Sequence, residues 1–108
     1  MENNVFMKLI LKNKNINFVI NKTNECTVRY TGVLCHTFVL TDNYFLDFKK
    51  QVRKLHFKNV FNNYRSNRLY SKNFSEIQTE KHVLDYLTNI RQLISELELF
   101  ENTEQTKN

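Results

Sequence analysis

Eight cations stand between residues 49 and 72: Lys49, Lys50, Arg53, Lys54, Lys58, Arg65, Arg68 and Lys72. Only Asp42 and Asp47 oppose them within residues 42–74, so that stretch carries a charge of +6. Cations neutralise phosphates, and planar rings stack on exposed bases. Tyr64, Tyr70 and Phe74 lie among these cations, which gives the mixture a nucleic-acid surface needs. A solvated helix face that only keeps the chain dissolved would have the same composition. The residues expected to touch nucleic acid are Lys49, Lys50, Arg53, Lys54, Lys58, Arg65, Arg68, Tyr70 and Lys72. No acid occurs between residues 48 and 75, so charge itself encodes little base selectivity: phosphate contacts position, and base contacts specify.

Other chemistry has weaker support. Cys26, Cys35, His36, His56 and His82 are the candidate soft-metal ligands, yet no close pair of the C-x-x-C kind is present. Cys35 and His36 are adjacent in an apolar run, where a strand would send them to opposite faces. The two cysteines read as small apolar packing residues in a reducing compartment. No local pattern marks a catalytic nucleophile or base, and one glycine, Gly32, cannot build a phosphate loop. The expectation is a protein without enzymatic activity, cofactor, metal or small-molecule substrate.

The elements that would position the basic stretch follow from periodicity. A chain of 108 residues with 41% hydrophobic content, nine Phe and five Tyr should fold around one core. Val5, Met7, Leu9 and Leu11 alternate with Phe6, Lys8, Ile10 and Lys12, and Ile16, Phe18 and Ile20 alternate with Asn17, Val19 and Asn21. With Asn13–Asn15 as the loop, these runs predict a first hairpin. Phe6 and Ile10 would then be core, or part of a sheet face open to single strands. Cys26, Val28 and Tyr30 predict a third strand, and Val33–Leu40 a fourth. A two-residue loop at Thr31-Gly32 would pair Tyr30 with Val33 and Val28 with Cys35.

Thr41 or Asp42 can cap a helix start. Phe45, Phe48, Val52 and Leu55 then mark the core stripe of a helix over about 42–62. The stripe shifts to Phe57, Val60, Phe61 and Tyr64, so this helix either twists or breaks near His56. Residues 65–74 read as a basic loop. Ser75 with Gln78 makes a capping box for a second helix over about 76–100, with Val83, Leu87, Ile90, Ile94 and Leu97 as its apolar seam. That seam can pack on the sheet, or can pair with a second copy or a protein partner. Residues 101–108 read as a flexible polar tail.

The sum is a single α+β domain over 1–100, a four-stranded antiparallel sheet of two hairpins followed by two helices packed on it. Residues 1–41 carry +3 and residues 75–108 carry −4, so the chain is electrically polarised. The excess of Asn, Lys, Ile, Phe and Tyr, with no Pro or Trp, suits an AT-rich coding sequence such as a viral, plasmid or AT-rich microbial one. No signal peptide or membrane span is apparent, and an intracellular, soluble protein of the cytoplasm or nucleus is expected. Two functions are expected from these features. The first is nucleic-acid binding, DNA or RNA, at low sequence specificity and with single strands among the targets. The second is a protein-interaction module, an accessory subunit of a larger complex or an inhibitor of a host protein, acting through the basic face or the C-terminal helix.

Overall fold

The computed structural model describes residues 1–67 and 75–106. Its elements run α1 (Asn3–Leu11), β1 (Ile16–Ile20), β2 (Glu25–Tyr30), β3 (Val33–Val39), α2 (Tyr44–Arg53), α3 (Phe57–Asn67) and α4 (Glu76–Thr106). The α+β class holds, but the expected four-stranded sheet with two helices is a three-stranded antiparallel sheet, order β1-β2-β3, with four helices.

The first element accounts for the missing strand. A strand would have put Phe6 and Ile10 on the face shared with Lys8 and Lys12. As a helix, residues 3–11 turn Phe6 and Ile10 inward at i, i+4, both 0% exposed, and leave Lys8 and Lys12 outside. Apolar runs this short fit either period, so packing decides between them. The Asn13 side chain then makes the connection, accepting hydrogen bonds from the Asn15 and Ile16 amides at 2.9 and 2.8 Å.

The next two turns are also built without proline. Asn21 Oδ1 accepts from the amides of Thr23 and Glu25 at 2.9 Å each, and Asn24 takes a left-handed φ of 60°. Thr31 and Gly32 form the second turn at φ 50° and 78°. A β-branched residue is costly there; Thr31 is held by hydrogen bonds from its hydroxyl to the Tyr30 carbonyl and with the Tyr64 hydroxyl. Tyr30 pairs with Val33 as the two-residue loop requires, but Val28 pairs with His36, because an irregularity leaves Cys35 between the Leu34 and His36 pairings.

The expected helix over about 42–62 is two helices. Asn43, not Thr41 or Asp42, is the cap of α2, its side chain accepting from the Leu46 amide at 3.0 Å. Thr41 instead donates from its amide and hydroxyl to Asp47 at 2.7 and 2.6 Å, and these bonds hold the Asp47 carboxyl below its ordinary pKa. Buried Leu55 ends α2, and α3 restarts with the Asn59 side chain accepting from the His56 amide at 2.9 Å. The break moves the buried stripe from Phe45, Phe48 and Val52 to Val60 and Tyr64.

The capping box of α4 forms as expected: the Ser75 amide donates to Gln78 Oε1 at 2.9 Å and the Gln78 amide to Ser75 Oγ at 3.2 Å. The helix runs six residues past Phe100, to Thr106, into the segment expected to be a flexible tail.

The core joins these pieces through aromatic rings. Phe48 lies 5.4 Å from Phe6, 5.8 Å from Phe18 and 5.9 Å from Phe38, centroid to centroid. The Asn3 side chain adds a polar clamp, donating to the Asp42 carbonyl at 3.1 Å and accepting from the Tyr44 amide at 3.0 Å, which ties the start of α1 to that of α2. Truncating Phe6 to Ala should therefore lower unfolding free energy by about 3 to 5 kcal/mol in urea titration, whereas a residue on an exposed strand would lose under 1 kcal/mol.

Candidate nucleic-acid interface

Helix α2 has two polar rows beside its buried face. Lys49 and Arg53 are one i, i+4 row and Lys50 and Lys54 the next. Lys50, Arg53, Lys54, Lys58 and Arg65 are all exposed, the first three clustered at the C-terminal end of α2, where cations also complement the helix dipole. Lys49 is different: its side chain is 16% exposed, and its ammonium sits 4.4 Å from the centroid of the Phe45 ring. Arg68, Tyr70 and Lys72 lie outside the described residues. Tyr64, which the sequence places among the stacking candidates, is fully buried. Phe57 is the exposed ring on this side, 37% accessible and stacked on Phe61 at 5.6 Å, next to Lys58.

The predicted seam of α4 faces inward. Val83, Leu87, Ile90 and Leu97 are buried in the core that the helix forms with the rest of the chain, and Ile94 is partly buried at its margin. Ile94 meets the basic row there. Lys49, Val52 and Arg53 from α2, with Arg91 and Ile94 from α4, line a cleft of about 330 Å³ that is apolar and cationic at once. Two residue sets that looked separate in sequence thus share one concavity. Arg91 escaped sequence reasoning, since it lies on a mainly acidic segment and only the packing of α4 on α2 brings it to the others. Glu98 pairs with two of the lining cations, 4.0 Å from Lys49 Nζ and 3.8 Å from the Arg53 guanidinium.

Of the other chemically versatile side chains, Cys26 and Cys35 are in the core, His36 and His82 are partly buried, and His56 is exposed. Burial pushes the thiols of Cys26 and Cys35 up to about 11 and about 12, so neither is a nucleophile near neutral pH. His36 stacks on Phe38 at 5.5 Å and lies 5.5 Å from the Tyr86 ring; its Nε2 and the Tyr86 hydroxyl have no hydrogen-bond partner among the described residues. No group of three His, Cys, Asp or Glu among the described residues could hold a metal ion. No described helix is long and apolar enough to cross a membrane.

No protein-family model, curated protein or solved structure matches the chain.

Burial lowers the His36 pKa from 6.5 to about 4. The unfolded chain takes up this proton as pH falls through 6.5 while the folded chain refuses it until about 4, so the stabilisation is complete above pH 6.5 and is lost on acidification. Between pH 7 and pH 4.5 the loss should be about 2 kcal/mol from this residue. Urea midpoints of the wild type and His36→Phe at both pH values check this: the variant should lose less stability on acidification by that amount, and equal losses would assign the effect elsewhere.

Proposed function

We propose that the protein binds nucleic acid through its phosphate backbone, using the corner where α2 passes into α3. The observation that carries this reading is the arrangement of charge at that corner. Phe45, Phe48, Val52, Leu55 and Val60 are buried, and Lys50, Lys54 and Lys58 are turned out of the same short segment. No carboxylate among the described residues comes within ion-pair distance of Lys50, Lys54 or Lys58. Cations without a close ion pair, on a rigid, closely packed base, are what a polyanion recruits, because each phosphate contact releases condensed counterions.

Contacts of this type set affinity and orientation and leave base identity unread. The exposed Phe57 ring beside Lys58 offers a face on which an unpaired base can stack. Low sequence specificity follows from both features.

The test is fluorescence anisotropy with labelled single-stranded DNA, duplex DNA and single-stranded RNA across a salt series. Wild-type affinity should fall steeply with salt. In the triple variant Lys50→Glu, Lys54→Glu, Lys58→Glu the log-log slope on duplex should flatten by about 2 to 3, with an unchanged thermal midpoint, because these side chains are outside the core. Absence of wild-type binding to all three probes at low salt would overturn the reading.

A further inference from the structure

We infer that the cleft between α2 and α4 takes one nucleotide of a single strand, with Glu98 as the internal carboxylate that an incoming phosphate must displace. This deepens the nucleic-acid reading and rests on it for the biological ligand. Its physical basis is independent of the exposed lysines.

The cleft combines two properties that the convex corner lacks. Val52 and Ile94 supply apolar lining, and Lys49, Arg53 and Arg91 bring three cations to the same cleft. A ligand that satisfies both is an anion with an apolar part. The volume of about 330 Å³ lies at the small end of ligand sites, which span about 300–1,000 Å³, and so admits one such unit. A nucleotide has these parts in this proportion: a base whose faces are apolar, and a phosphate within reach of the same side chains. A base paired in a duplex keeps both faces stacked and cannot enter, so the cleft discriminates in favour of single strands.

Glu98 supports the assignment from within the chain. Its carboxylate already lies against Lys49 and Arg53, at 4.0 and 3.8 Å, and its side chain remains 42% exposed. The Arg53 pair is exposed on both sides, and a pair of that kind at this distance is weak and readily exchanged. The carboxylate thus occupies the place where the phosphate is expected and competes with it. Lys49 is further fixed by the Phe45 ring beneath it, so the receiving charge is positioned before the ligand arrives.

Thymidine 5′-monophosphate, added to the full chain and followed by methyl NMR, is the direct probe. Ring-current shifts at the Val52 and Ile94 methyls that inorganic phosphate does not reproduce are the expected result. Unmoved methyls at millimolar mononucleotide would overturn the inference, whether or not the protein binds duplex. As a second readout, Glu98→Gln should tighten binding of a single-stranded oligonucleotide severalfold and of duplex by clearly less; an equal gain on both would also overturn it. Failure of every oligonucleotide to bind counts against the broader function, while the methyl shifts still decide the cleft. Shifts caused by a fatty acid and not by the mononucleotide would reassign the cleft to an acyl ligand.

Discussion

Phe48 is the point on which the architecture depends. Its ring is fully buried and touches one aromatic from α1, one from β1 and one from β3, so a single side chain of α2 fixes the helix against three other elements. Aromatic pairs add about 0.5 to 1.5 kcal/mol each beyond the area they bury, and here three such pairs converge. Because the inner face of α2 is locked in this way, its outer faces have no freedom to roll. Lys49 and Arg53 must face α4, and Lys50 and Lys54 must face solvent. The division of one helix into a cleft-lining row and an outward row therefore originates in the core.

Charge is organised around that division. Acids concentrate along α4 and cations along α2 and α3, a separation present in the linear sequence and preserved in space. The two populations meet mainly at Glu98, whose pairs with Lys49 and Arg53 are long. Partly exposed pairs of this kind contribute about 0 to 1 kcal/mol. These two pairs consequently do little to hold α2 against α4.

The legible parts of the fold are those specified by local chemistry. Thr31-Gly32 announced its hairpin, the Ser75 and Gln78 pair announced the start of α4, and the shift of the apolar stripe near His56 announced the end of α2. Residues 5–11 were misread because seven residues with one internal lysine satisfy a period of two and a period near four equally well. Only the Phe6 contacts with Phe45 and Phe48 choose between them, and those partners are about forty positions away in sequence. The Cys35 irregularity and the cleft were invisible for the same reason. Arg91 has no neighbour in sequence that marks it, and its role is created when α4 crosses α2.

The turns made by Asn13, Asn21, Asn24, Asn43 and Asn59 have a consequence for how the chain reaches this state. Side-chain hydrogen bonds at Asn13, Asn21, Asn43 and Asn59 and the left-handed Asn24 make these turns in a sequence with no proline, so the denatured ensemble contains no X-Pro bonds. Prolyl isomerisation, which delays folding by about 10 to 100 s per slow step, has no place in its refolding. The compensation is thermodynamic: a chain without proline has more conformations to give up, and each ordered turn must recover that entropy through its own hydrogen bonds. The protein has exchanged a stiffer unfolded state for an uninterrupted route to the folded one.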